Sequence, residues 1–387
     1  MEFGLSEELQ MLRDMARDFA TEKIAPFADE WDENHYFPYE EVIKPMGELG
    51  FFGTVIPEAY GGNEMGWLAA MILTEEIARA SSSVRVQINM QTLGCAFTIF
   101  RYGSDELKEK YVPKLVSAEY VGGFGITEPN AGSDVMAMKS TAQDKGDHWV
   151  LNGSKTWISN ASAADVIIYY AYTDREARGK GLSAFVLEPK NFNGVTTSDL
   201  NKLGTRSTPT GEIYVEDTKI PKENILGKPG DGAKIVFSSL NQSRLSAAAG
   251  GVGLAQACLD TVTAYCQERE QFGKSVGQFQ MNQDMIAQVA AEIEAARLVV
   301  YKAAWQKDQG QLGNTLEVAH AKYLAGEIAE KATRMAMRIM GAYGYSTEYP
   351  VARFYRDAPP YYMVEGSANI CKWIIALDQL GIRKANR

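Results

Sequence analysis

Leu5, Leu9, Leu12, Ala16 and Phe19 fall on one stripe at helical spacing, with Ser6 placed to cap it. The same recurrence runs through 66–80 and 104–117. Before these segments, Pro57-Glu-Ala-Tyr-Gly-Gly-Asn63 is turn chemistry. The first third of the chain therefore predicts mostly helix. The pattern then changes to β-rich runs at 149–158, Val166–Tyr172, Leu182–Leu187 and Gly211–Val215, separated by clusters such as Gly179-Lys-Gly and Thr208-Pro-Thr-Gly. Asn152-Gly153 between strand-like residues predicts a hairpin. After the linker Pro229-Gly-Asp-Gly, helical periodicity returns at 233–268, 279–309, 315–341 and 367–380, long helices on short loops that imply a bundle. The expected class is α+β: an N-terminal all-α domain (1–118), a middle antiparallel β-barrel or sandwich (119–228) and a C-terminal four-helix bundle (229–387).

Composition narrows the function more by exclusion than by assignment. The 387 residues carry a net charge of -10, which argues against an extended nucleic-acid footprint. Cys95, Cys258, Cys266 and Cys371 form no CxxC pair, so neither a disulfide framework nor a zinc ribbon is suggested. His35, His148 and His320 are far apart, a poor supply for a metal site or a His-based triad. The N-terminus opens into an acidic amphipathic segment without a basic or apolar leader. No run approaches ~18 apolar residues. The expectation is a cytoplasmic protein with no integral membrane segment.

Four stretches could carry chemistry, and each has a plainer reading. Thr127-Glu-Pro-Asn-Ala-Gly-Ser-Asp134 offers a flexible glycine and two hydroxyls to a ligand, or is a surface loop. Trp157-Ile-Ser-Asn160 supplies a flat aromatic and a small hydroxyl suited to a planar ring, or the tryptophan is core. No GxGxxG follows a strand and no GxxxxGK[ST] occurs. Gly250-Gly-Val-Gly253 lies in a helical run and reads as close helix packing. Arg269-Glu-Gln-Phe-Gly273 could hold a phosphate, or be a helix C-terminus with Gly273 at C′. Glu365, in an aromatic stretch immediately before Gly366, could be a general base or a cap on the last helix.

Taken in order along the chain, these elements resemble the acyl-CoA dehydrogenase family over essentially its whole length. The resemblance rests on 127–134, 157–160, Ser243-Arg244, 269–273, Gly341-Ala-Tyr-Gly-Tyr345 and Arg356-Asp through Val364-Glu-Gly-Ser367. It implies FAD between the β domain and the C-terminal helices. Phe124, Ile126, Thr127 and Ser133 would contact the flavin from one side, with Trp157 and Ser159 walling and hydrogen-bonding the ring. Arg269, Phe272 and Gln280 would reach the FAD of a neighbouring subunit in a homotetramer. Arg338, Gly341 and Ala342 would approach the adenosine half, and Ser367 and Asn369 match further cofactor positions. Two of these depart from the common pattern: Arg338 stands where many relatives have Gln, and Ala342 where many have Gly. By the same resemblance Glu365 removes the α-proton of an acyl-CoA thioester while the β-hydrogen leaves as hydride to flavin N5. The thioester carbonyl is held by the Glu365 backbone N–H and a ribitol hydroxyl. Ser133, Arg244, Val364 and Gly366 would line the substrate, and an electron-transferring flavoprotein would accept the electrons.

Within the family, Ser81-Ser-Ser-Val-Arg-Val-Gln-Ile-Asn-Met-Gln91 resembles the glutaryl-CoA dehydrogenase branch, where an Arg at the position of Arg85 binds the distal carboxylate. The plainer reading of Arg85 is a solvated helix-surface residue. Decarboxylating members carry Tyr before the catalytic Glu and Glu seven residues before the Arg. Val364 and Ala78 stand there, as in the nondecarboxylating enzymes of anaerobic bacteria. The rival within the family is an alicyclic acyl-CoA dehydrogenase, with Val364, Met363 and Met90 as apolar walls. An acyl-CoA oxidase and, from another class, a catalytically idle oligomeric binding protein complete the alternatives.

Overall fold

A computed structural model describes residues 4–382. Seven helices come first: α1 (Glu7–Phe19), α2 (Ala28–Glu33), α3 (Lys44–Glu48), α4 (Gly66–Ala80), α5 (Ser82–Ile88), α6 (Phe97–Tyr102) and α7 (Asp105–Val116). Ser6 caps α1 by accepting from the Leu9 amide at 3.3 Å, and Leu12 and Ala16 bury the predicted stripe against α4. Between α5 and α6 the chain widens into a π-helical stretch, Asn89–Ala96, a geometry that frequently marks functional sites.

The sheet contains β1 (Gly122–Gly125), β2 (Thr141–Asp144), β3 (His148–Ser159), β4 (Val166–Tyr172), β5 (Leu182–Leu187), β6 (Val195–Asp199), β7 (Thr210–Pro221) and β8 (Ile225–Leu226), in the order β6-β7-β3-β2-β4-β5-β8. Its pairings are antiparallel except that β1 and the first residue of β2, Thr141, pair parallel with β4. Strand β4 is buried throughout. Ile168, Tyr170 and Tyr172 face the core shared with the helices. Ile167, Tyr169 and Ala171 face a second core with Trp149, Phe185 and Ile213.

Asn152-Gly153 is not a hairpin. β3 runs straight through it and slips register against β7 between Leu151 and Gly153. Gly153 has φ +149, and a Cβ there would run into the Ser140 side chain, so the glycine marks a bulge pressed against a neighbouring segment. The hairpin lies instead between β2 and β3 at Lys145-Gly146-Asp147.

The C-terminal region holds α8 (Gly232–Glu268), a small hairpin of β9 (Glu270–Gln271) and β10 (Lys274–Ser275), α9 (Gln280–Asp308), α10 (Thr315–Met340), the short α11 (Ala342–Tyr345), α12 (Val351–Asp357) and α13 (Pro360–Met363), and α14 (Ala368–Gln379). α10 packs on α8, α9 and α14, while α8 also packs on α4. The glycines of α8 permit this: a Cβ at Gly251 would meet the Ala325 carbonyl of α10 at 2.8 Å, and one at Gly253 would stand 2.8 Å from Ala78 Cβ of α4. By length and mean hydropathy α8 alone among the described helices could cross a membrane, but 78% of its most apolar window is buried in the fold.

Candidate active site

Glu365 lies on the turn between α13 and α14. Its Oε2 accepts from Ser243 Oγ of α8 at 2.5 Å and its Oε1 from Asn89 Nδ2 at 3.2 Å. Arg244 Nε donates to the Glu365 carbonyl at 2.8 Å. Glu365 has φ +57, a left-handed backbone that costs a non-glycine residue about 1 kcal/mol or more, so the Arg244 bond offsets local strain. Gly366 follows at φ +88, and a Cβ there would sit 2.6 Å from Arg244 Nη2. The last helix is capped by Ser367, whose Oγ accepts from the Ile370 amide at 3.4 Å. Glu365 is therefore not the cap; its carboxylate is held for another use.

Asn89 and Arg85 stand four residues apart on one helix face. Arg85 is only 3% exposed, which removes the solvated-surface reading. Its Nε has no hydrogen-bond partner, and its guanidinium carbon lies 5.1 Å from the centroid of the Tyr361 ring. A buried cation is ordinarily paired, and among the described residues no acidic side chain pairs with this one. Lys322 of α10 is also buried; its Nζ donates to the Tyr361 carbonyl at 2.5 Å, and burial pulls it down to about 8 against the pull of Cys371 and Glu365. Val364 is exposed beside Glu365, and Ala78 is buried against Gly253.

A second group lines the edge of the sheet near α5. The Asn160 amide exchanges two 2.9 Å bonds with Gln87 of α5 and donates to the Gly122 carbonyl, tying the end of β3 to the helix that carries Arg85. Thr156 N donates to the Thr127 carbonyl at 2.9 Å, which sets Trp157 beside the start of the loop, while the Ser159 carbonyl lies against Gly123 of β1. Trp157 is 59% exposed with φ +60; it does not fill the core, and its unusual backbone turns it out of the strand. Phe124 is buried edge-on against Tyr170, and Ser133 is exposed on the loop. That loop is anchored from beneath by Glu128, which accepts from Lys139 N, Ser140 N, Ser140 Oγ and the buried Lys155 Nζ.

The third group is turned outward. Phe272 and Gly273 occupy the two central positions of the β9–β10 turn, both at positive φ. Gly273 is thus a hairpin residue rather than the C′ of α8, and Phe272 is 93% exposed. The Arg269 guanidinium lies 5.2 Å from the Tyr343 ring, which joins this turn to Gly341 and Ala342. Gln280 opens α9, Arg338 ends α10 on an exposed face, and Ser367 and Asn369 open α14. Asn89, Tyr361 and Gly250 were not legible as site residues. Only the spacing of Asn89 from Arg85 hinted at a shared face, and the glycine read as helix packing.

Glu365, held at both carboxylate oxygens, thus stands one helical turn from the buried Arg85 through Asn89, and the Gln87–Asn160 bonds tie that helix to the sheet edge carrying Trp157. Family models for the N-terminal, middle and C-terminal domains of acyl-CoA dehydrogenase match residues 6–119, 123–218 and 230–379. The chain belongs to the acyl-CoA dehydrogenase family, a family of flavoprotein oxidoreductases. It is 72% identical over 389 residues to a glutaryl-CoA dehydrogenase of Desulfococcus multivorans, with both chains covered completely. A solved glutaryl-coenzyme A dehydrogenase in complex with glutaryl-CoA superposes with a TM-score of 0.98 at 72% identity, over 100% of this chain and 98% of that one. Butyryl-CoA dehydrogenase from Megasphaera elsdenii gives 0.95 at 36% identity, over 98% and 100%.

Proposed function

We propose that the protein is an FAD-dependent glutaryl-CoA dehydrogenase that releases glutaconyl-CoA without decarboxylation. The observation that carries the substrate is Arg85, a buried guanidinium without a partner at Nε, one turn from the asparagine that touches the base. An apolar alicyclic ring would leave that charge uncompensated, whereas a terminal carboxylate would satisfy it through charge-assisted hydrogen bonds.

The residues present fit FAD. Trp157 is exposed at the sheet edge in a conformation the strand does not need, and the Thr127–Asp134 loop is held rigidly below it by the Glu128–Lys155 pair. Ile126, Thr127, Ser133, Trp157 and Ser159 would hold its ring. When bound, the flavin supplies the hydride acceptor. Glu365 takes the α-proton on the carboxylate that Ser243 and Asn89 orient, and Arg244 fixes the backbone from which the Glu365 N–H can meet the thioester oxygen. An electron-transferring flavoprotein is the expected acceptor, and a cytoplasmic homotetramer the expected assembly.

Loss of carbon dioxide from the oxidised product requires its carboxylate to shed negative charge. Arg85 opposes this while no competitor loosens its hold. Val364 is apolar, and Ala78, buried where α4 meets α8, carries no polar group. Single-turnover product analysis by mass, with glutaryl-CoA and an artificial acceptor, is expected to give glutaconyl-CoA. Dominant crotonyl-CoA would reject release without decarboxylation, and flavin bleaching by cyclohexanecarboxyl-CoA but not glutaryl-CoA would reject the substrate.

A further inference from the structure

We propose that Gly250 and Tyr361 form a slot that fixes the Arg85 guanidinium, and that this slot determines preference for acyl chains ending in a carboxylate. The inference rests on the reading of Arg85 as the carboxylate receptor. It concerns how that receptor is aimed, and both residues are positioning residues.

Arg85 is bounded on one side by the backbone of α8. A Cβ at Gly250 would stand 2.8 Å from Arg85 Nε, 2.9 Å from its Cδ and 2.9 Å from Tyr361 Cε1. The glycine is therefore a notch into which the arginine stem and the tyrosine edge both fit. On the other side lies the Tyr361 ring, 5.1 Å from the guanidinium carbon. That ring is itself immobilised: its hydroxyl donates to Ser82 Oγ at 3.0 Å and its carbonyl accepts from Lys322 Nζ at 2.5 Å. Ser82 and Arg85 lie three residues apart on α5, so one tyrosine braces two side chains of the same helix face.

The chemistry of the hold matters as much as its geometry. A carboxylate partner would also fix Arg85, but would neutralise it and occupy its donors. A glycine notch and an aromatic face orient the planar group by shape and by the ring quadrupole, leaving charge and donors for a ligand.

The test is calorimetric binding of glutaryl-CoA and butyryl-CoA to the FAD-loaded protein in a Glu365→Gln background, where turnover is stopped. Gly250→Ala is expected to lower the glutaryl-to-butyryl affinity ratio at least tenfold. Alanine is the better helix former, so its effect is not one of helix propensity. Tyr361→Leu is expected to do the same, and Tyr361→Phe, which keeps the ring but loses the Ser82 bond, to lower the ratio less than Tyr361→Leu, which preserves the test if the alanine variant does not fold. With Arg85→Gln already present, Gly250→Ala should change the ratio no further, because both act through one group. If Arg85→Gln collapses the ratio while Gly250→Ala and Tyr361→Leu leave it intact, the slot is wrong and the receptor stands. If Arg85→Gln leaves the ratio unchanged, the receptor reading fails and the slot with it.

Discussion

At Glu365 a single side chain has two jobs that pull on different atoms. As the proposed base it needs its carboxylate oriented, and its backbone is held left-handed at φ +57. Ser243 and Asn89 serve the first, Arg244 and Gly366 the second. Glu365→Gln is expected to keep the fold and flavin content while substrate-dependent bleaching slows at least ~100-fold, the scale of a lost general base; wild-type bleaching would move the base elsewhere. Ser243→Ala and Asn89→Ala each remove one hydrogen bond to a charged group, worth roughly 1.5–3 kcal/mol. Each should lower the rate of single-turnover reduction by about 10- to 100-fold, and unchanged rates in both would show that neither bond orients the base. Arg85→Ala should raise KM for glutaryl-CoA far more than for butyryl-CoA, and equal effects would make Arg85 structural.

Among the elements, the loop 127–134 shows how a flexible composition becomes a rigid platform. It is anchored through Glu128, which bonds Lys139 N and Ser140 as well as the fully buried Lys155, a lysine pushed down to about 8 by burial against the pull of the carboxylate. Breaking a buried pair from one side leaves an uncompensated charge, typically 3–5 kcal/mol. Lys155→Met is accordingly expected to lower the denaturant midpoint and to release flavin. A midpoint equal to wild type would mean that Glu128 does not anchor the loop. Strand β3 teaches a related lesson about Asn-Gly. The pair is the strongest short hairpin signal, yet here the glycine accommodates Ser140 across a bulge and Asn152 bonds Asp217 on β7. Local turn chemistry gave way to a tertiary contact that only a residue without a Cβ permits.

Across the whole molecule, two features join parts far apart in sequence. Asp357 of α12 is fully buried; its Oδ1 accepts from Thr205 N in the β6–β7 connection, while Arg356 pairs with Asp32 of α2. Burial pushes Asp357 up to about 6, against the opposing pulls of Arg353 and the Thr205 N–H. A carboxyl raised above its unfolded value of about 3.9 contributes stability that is full below that value and is lost as pH rises through about 6. The wild type is therefore expected to lose up to ~3 kcal/mol relative to Asp357→Asn between about pH 4 and 7. Parallel stability curves for the two proteins would rule out a raised Asp357. The second feature is the outward Phe272, with Met281, Leu298 and Trp305 exposed on the neighbouring helix. If this face receives a second copy, Phe272→Asp should weaken assembly roughly 30-fold, the scale of a central aromatic anchor, and reduce flavin retention. Unchanged mass by light scattering and unchanged flavin content would place assembly elsewhere.

The order of helix, sheet and bundle, the strands β4 and β5 to the residue and the Ser6 cap were all legible in the chain, because each rests on periodicity or on a local motif. The sequence also placed Arg85 in a recognisable segment, but it could not tell a solvated arginine from a buried one. That distinction belongs to the tertiary structure, since burial depends on α8 and α13 arriving from more than 150 residues away. Ser243, Asn89, Gly250 and Tyr361 share no motif. They meet only because glycines let α8 pass between α4 and α10, and the contacts a glycine permits are made by its neighbours in space.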